Sequence, residues 1–167
     1  MKLWLQKGIL PLGAEASYET GVLMNRAEFA QLLVDAFDLQ AAAAAPGFKD
    51  VGTNSPYAEA IHIAGALGIV KGRADGHYSP NDTLSRQEMA VMLNRLIQLE
   101  QIMLKGDSPA VHSFKDLNQL SAEASGAIEK LRAAGVIQGA RSGYFLPKAQ
   151  MTKEQAAVVV YRIISLH

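Results

Sequence analysis

The stretch Leu84-Ser85-Arg86-Gln87-Glu88-Met89-Ala90 reads as the opening of a helix. Ser85 is an N-cap type residue, and Glu88 three positions later completes a capping box, in which two side chains satisfy each other's orphan backbone donors. The block occurs twice more, as Met24-Asn25-Arg26-Ala27-Glu28 and Met151-Thr152-Lys153-Glu154-Gln155. Behind each opening the apolar residues fall at i, i+3, i+4, i+7 and i+8. They are Phe29, Leu32, Leu33, Ala36 and Phe37; Met89, Met92, Leu93, Leu96 and Ile97; Ala156, Val159, Val160, Ile163 and Ile164. Three equivalent amphipathic helices with wide apolar stripes predict a shared three-helix core.

Sixteen residues ahead of each block stands a second repeated element: Gly8-Ile9-Leu10-Pro11-Leu12, Gly68-Ile69-Val70-Lys71-Gly72 and Gly135-Val136-Ile137-Gln138-Gly139. Tyr18, Tyr78 and Phe145 occupy equivalent positions between the blocks, and Pro80 matches Pro147. The last two units also share an opening, Phe48-Lys49-Asp50-Val51 and Phe114-Lys115-Asp116-Leu117. Self-similarity at a fixed spacing is the signature of a repeat architecture. The chain reads as three units, 1–39, 48–99 and 114–167, forming one structural module because a single helix pair buries too little surface to stand alone. The first unit is truncated at its start, and its Trp4 is expected in the core. Gln40-Ala41 to Gly47 and Glu100 to Ser113 are connectors. Within a unit a short helix ends at Gly8, Gly68 or Gly135, where a C′ glycine in the left-handed conformation is wanted.

Composition narrows the function. Lys+Arg and Asp+Glu are both 16, so the net charge is zero, against a duplex-DNA binder that needs a basic face. With no cysteine there is no disulfide, thiolate metal site or Cys nucleophile. His62, His77, His112 and His167 form no i, i+4 metal pair. No run of apolar residues is long enough to span a membrane, and Met1-Lys2-Leu3-Trp4-Leu5 lacks a signal-peptide core. The chain is therefore cytoplasmic or a piece of an exported protein. Arg73-Ala74-Asp75-Gly76-His77 lacks the spaced ligands and closing Glu of a calcium loop. No nucleophile elbow, zinc-protease motif or phosphate loop is present. Glu28 and Glu88 are accounted for as capping-box members. No catalytic residue, metal or cofactor is assigned.

These motifs resemble the S-layer homology family, whose unit reads roughly F-x-D-V, W-A, A-I, G-I-I-x-G, D-G-x-F-x-P and I-T-R-A-E-F-A. The second unit offers Phe48-Lys49-Asp50-Val51, Tyr57-Ala58, Ala60-Ile61, Gly68 to Gly72, Asp75-Gly76-His77-Tyr78-Ser79-Pro80 and Leu84 to Ala90. The resemblance implies a mainly α fold, with three repeats in a pseudo-threefold arrangement around a central three-helix bundle. It implies a monomeric, non-enzymatic, extracellular anchor of the bacterial cell wall or S-layer, binding acidic, often pyruvylated, secondary cell-wall polysaccharide in grooves between repeats. It implies neither nucleic-acid binding nor membrane insertion. Two other functions stay open: a helical-repeat protein adaptor, or an S-layer assembly module.

The resemblance makes Arg86, Arg26 and Lys153 the contacts to an acidic sugar, beside the cap residues Ser85 and Thr152. The residues themselves allow two readings. A cation just inside a helix N-terminus, at the unfavourable end of the dipole, makes with the free amides there a carboxylate receptor. Otherwise each basic residue pairs with a nearby Glu or covers apolar surface with its stem. Gly72 and Gly139 serve either a positive-φ turn or close approach of sugar to backbone. Tyr57, at the family's Trp position, is either a core aromatic or a stacking platform; the third unit has Ala124 there. Asp50 and Asp116 read as cap or turn residues rather than ligands. A principal site involving Arg86 and Gly72 is expected, with Arg86 exposed and weaker binding elsewhere.

Overall fold

The computed structural model describes residues 21–42, 47–104, 113–140 and 143–166. The expectations for Trp4, Gly8, Leu12 and Tyr18, for His112 and His167, and for much of both connectors lie outside the described residues. Five helices lie among the described residues: α1 Arg26–Phe37, α2 Ala58–Ala66, α3 Arg86–Leu99, α4 Ala122–Ala133 and α5 Lys153–Ser165. The fold is mainly α. Strand-like structure among the described residues consists of isolated bridges.

The three long helices, α1, α3 and α5, begin at the three repeated blocks, and each carries the capping box its sequence predicts. Asn25 Oδ1 accepts from the Glu28 amide at 2.8 Å, and Glu28 Oε2 accepts from the Asn25 amide at 3.0 Å. The short helices α2 and α4 end on Gly68 and Gly135, whose φ values are +73° and +71°. The amide of Ile69 donates back to Ala64 and that of Val136 to Leu131, both at 2.9 Å. This is the Schellman stop that a C′ glycine permits.

Apolar periodicity turns into packing, more between long and short helices than among the three long ones. Phe29, Leu33, Leu93, Leu96, Ile163, Ile61 and Ile128 are fully buried, each contributing about 1.5–3 kcal/mol by removal from water. Among the described residues two of the long helices pack on the short helix of the following unit: α1 on α2, and α3 on α4. The units therefore complete one another's cores.

At the starts of the long helices the units lock into a ring. The amide of Met24 donates to Met151 O at 2.9 Å, that of Met151 to Leu84 O at 2.9 Å, and that of Leu84 to Met24 O at 2.8 Å. These three residues are equivalent in the three units, so the bonds close a triangle. Bridges pair Asn25 with Thr83, Ser85 with Gln150 and Leu23 with Thr152 in the same cyclic sense. The backbone itself thus carries the pseudo-threefold relation.

Candidate functional site

The loops before α3 and α5 are each shaped by a carboxylate from the unit's opening. Asp50 Oδ1 and Oδ2 accept from the amides of Tyr78 and Ser79, both at 2.7 Å. Asp116 accepts from Phe145 and Leu146 at 2.9 and 2.8 Å. Burial pushes the Asp50 pKa up, but the amide bonds outweigh it and hold the carboxyl below its usual value. The second residue of each pair, Ser79 or Leu146, is left-handed with φ +60°. Both aspartates organise the loop.

This loop aims a carbonyl and an aromatic face at the preceding unit, and the basic residue of that unit answers. Arg26 Nε donates to Tyr78 O at 3.0 Å, and its guanidinium lies 4.6 Å from the Tyr78 ring centroid. Arg86 repeats the pose: Nε donates to Phe145 O at 2.8 Å, and the guanidinium lies 4.4 Å from the Phe145 centroid. Arg86 Nη2 also donates to Gln138 O at 2.8 Å. Tyr78 adds a hydroxyl that donates to Arg26 O at 2.9 Å. Burial, partly offset by Arg26 and reinforced by Glu88, pushes this phenol up to about 12.

The two arginines differ in what faces them next. Arg26 Nη1 donates to Glu88 Oε1 at 2.7 Å, and Arg26 is only 9% exposed. Lys153 Nζ pairs with Glu28 Oε1 at 2.6 Å. In this cycle the partner position for Arg86 is Gln155, and no ion pair to Arg86 exists among the described residues. Burial lowers the Arg86 pKa, opposed by the charge of Asp116; an arginine remains protonated regardless. The reading of the basic residues as partners of nearby glutamates therefore holds for Arg26 and Lys153, and fails for Arg86.

Two cavities follow the same symmetry. The first, of about 440 Å³, joins Arg26 to Val70, Lys71, Glu88, Met92 and Arg95, with Ser121, Ala124 and Lys148 on its far side. The second, of about 280 Å³, joins Arg86 to Ile137, Gln138, Gln155, Val159 and Arg162, with Glu154 in the lining. Arg95 and Arg162 donate to the equivalent carbonyls of Ile69 and Val136, at 3.3 and 3.0 Å. Arg95 is also paired with Glu123 at 2.7 Å. The interface of Lys153 and Glu28 has Asp35 where the other two have Arg95 and Arg162. The three interfaces are chemically unequal.

Four sequence expectations are corrected. Arg86 is partly buried, pinned by Phe145 and Gln138, and not an exposed first-turn residue. The first amides of the long helices are not free for an anion. Those of Arg26 and Ala27 donate to Asp82 O and Pro80 O, and those of Arg86 and Gln87 donate to Ala149 O and Pro147 O. The cap residues Ser85 and Thr152 take the third amide of their helices. At these helix starts only side chains are left to meet an anion.

Gly72 and Gly139 are outside the positive-φ set. A Cβ on Gly72 would meet the Phe48 ring at 2.7 Å, and one on Gly139 would collide with the Phe114 ring. Their smallness admits an aromatic ring. Lastly, Arg86 and Gly72 do not share a groove. Arg86 reaches the Gln138–Gly139 loop, whereas Gly72 follows Lys71 in the groove of Arg26. Tyr57, the N-cap of α2, lines neither of these two cavities and is half-buried against the core. Lys71, Gln138, Arg95, Arg162 and Gln155 escaped the sequence reading as groove residues. Two of them were visible as the variable position of the Gly68 and Gly135 blocks.

The fold and the grooves define a class: a mainly helical module of repeated units, with cation-lined clefts between neighbours. The sequence model of the S-layer homology domain matches residues 47–90 and 113–157, together more than half of the chain. This chain belongs to the S-layer homology domain family. Among curated relatives, it is 29% identical over 151 residues to "Exoglucanase XynX" of Acetivibrio thermocellus, covering 90% of this chain and 14% of the relative. It is 32% identical over 118 residues to the "Surface-layer 125 kDa protein" of Lysinibacillus sphaericus, covering 68% and 10%. It is 32% identical over 124 residues to the "Cell surface protein" of Thermoanaerobacter kivui, covering 73% and 16%. The chain thus spans a small fraction of each of these proteins. No described helix is long and apolar enough to cross a membrane.

Proposed function

We propose that the chain is a non-catalytic anchor that holds its parent protein to the outside of a bacterial cell wall by binding an acidic, pyruvylated secondary cell-wall polysaccharide. The three units 1–39, 48–99 and 114–167 act as one monomeric module. Family membership supports the anchoring role, as do relatives named both as surface-layer proteins and as enzymes. The observation that carries the ligand reading is Arg86, a guanidinium lining a cavity with no carboxylate paired to it among the described residues. Arg can hold a carboxylate in bidentate fashion, and a ketal-borne carboxylate on a sugar is such a group. Gln138 and Gln155 offer amides for sugar hydroxyls, and Ile137 and Val159 offer apolar surface for a ring face.

Sedimentation with purified cell-wall sacculi, before and after extraction of their non-peptidoglycan polymer, tests this function. The chain should co-sediment before extraction and remain in the supernatant afterwards. Arg86→Lys, which keeps the charge but loses the planar fork, should weaken retention about tenfold or more. Retention indifferent to extraction would instead favour a protein adaptor or an assembly module.

A further inference from the structure

We infer that the residue at the third position of each long helix decides whether its groove accepts an external carboxylate, and that Gln155 makes the Arg86 groove the receptive one. Glu88 has two carboxylate oxygens with two duties: Oε2 accepts from the Ser85 amide at 2.9 Å, and Oε1 accepts from Arg26 Nη1 at 2.7 Å. Glu28 divides its oxygens likewise, between the Asn25 amide at 3.0 Å and Lys153 Nζ at 2.6 Å. Each carboxylate is thus an internal occupant of the anion position on the neighbouring cation.

Gln155 retains only the first duty. Its Oε1 accepts from the Thr152 amide at 3.3 Å, which assigns the amide nitrogen, a pure donor, to the side that Oε1 of Glu88 takes. A cation and a donor amide then border one position, and an external carboxylate supplies the missing acceptor. Arg162 stands in the same cavity. Two carboxylates lie nearby. Glu154 is engaged by the Gly21 amide at 3.2 Å and by Thr152, and Asp116 by the amides of Phe145 and Leu146. Both are committed to their own loops. The first groove keeps cations in Lys71 and Lys148, but its guanidinium is satisfied from within.

This gating rests on the anchoring reading for its biological ligand, yet it is testable without one. Sodium acetate is titrated at constant ionic strength into protein labelled with 15N-arginine. The Arg Nε–Hε resonances are followed and assigned through Arg→Lys variants. The Arg86 resonance should move, and that of Arg26 should not. Gln155→Glu should raise the acetate Kd at Arg86 at least tenfold and raise the melting temperature by forming the absent ion pair. Gln155→Ala, which removes the cap and the donor amide but adds no carboxylate, should raise the Kd by clearly less than Gln155→Glu does. Glu88→Gln should make Arg26 respond. Equal responses of Arg26 and Arg86 in the wild type, silence of Arg86, or a Gln155→Glu variant that binds as before would overturn the gate. Gating intact with acetate, but no retention by sacculi, would sink the polysaccharide reading alone.

Discussion

Arg26 and Glu88 meet at 2.7 Å across the boundary between the first two units, joining residues 62 apart in sequence. Their equivalents one unit on, Arg86 and Gln155, make no such pair. The contrast yields a stability prediction. Arg26→Ala removes a nearly buried ion pair, a bond to Tyr78 O and an aromatic contact, so it should cost about 2–4 kcal/mol. Arg86→Ala loses two carbonyl bonds and a ring contact in a wetter place, and should cost about 1–2 kcal/mol. Urea unfolding of both variants measures the difference; equal losses would show that the Glu88 pair adds nothing.

Asp50 couples folding to pH. Its folded pKa lies below the ordinary value of 3.8, so its contribution is complete above that value and fades as pH falls through the folded pKa. Asp50→Asn can accept only one of the two amide bonds and should lower the melting temperature at neutral pH. Below about pH 4 the wild type should lose stability more steeply than the variant. Parallel thermal melts from acidic to neutral pH give the test, and identical slopes would count against it.

Gly139→Ala and Gly72→Ala should each destabilise by about 1–3 kcal/mol through overpacking. The third-unit change should be worse, because the new methyl meets both the Phe114 ring and Tyr144 O at 2.9 Å, whereas a methyl on Gly72 would lie 3.1 Å from His77 O. Calorimetric unfolding ranks them. A sugar-approach role without a packing role would leave both melting temperatures unchanged.

Leu146 is an exposed leucine in the left-handed conformation, with φ +60°. That backbone costs a non-glycine residue about 1–2 kcal/mol, part of which glycine returns as lost chain entropy. Leu146→Gly should therefore stabilise by up to about 1 kcal/mol, read as a rise in melting temperature. A fall would mean that the leucyl side chain contributes packing that its exposure conceals.

The Met24–Leu84–Met151 ring and the packing of α1 on α2 and of α3 on α4 make the units interdependent. Limited proteolysis should release no folded fragment 48–99. A protease-resistant fragment of that span with helical circular dichroism would contradict this.

Elements and their ends were legible because local physics sets them. The capping boxes at Asn25, Ser85 and Thr152, the glycine stops at Gly68 and Gly135, and the apolar stripe of α3 all depend on residues within a few positions of one another. Asp50 and Asp116 read as local cap or turn residues, whereas the amides they take, near residues 78 and 145, lie about 30 positions away and are a tertiary matter. Repetition at constant spacing revealed three equivalent units, and with them that any site would recur in three versions.

Pairing across units was a different matter. Whether Arg86 shares a groove with Gly72 or with Gly139 depends on the cyclic sense in which the units meet, and threefold repetition in sequence is blind to that sense. The hydrogen-bonded ring decides it, directing Arg26 to Glu88, Lys153 to Glu28, and Arg86 to the Gln138 loop. The same tertiary contacts consume the amides that an isolated helix N-terminus would offer to an anion, and place a phenyl ring against the glycines that sequence alone assigned to a turn or a sugar. Sequence by itself determined the helices, their caps and the threefold plan, because those follow from neighbours along the chain. The docking of one unit against the next determined which of the three helix-start cations lacks a carboxylate among the described residues, because Coulomb and hydrogen-bond energies depend on distances that only the assembled fold creates.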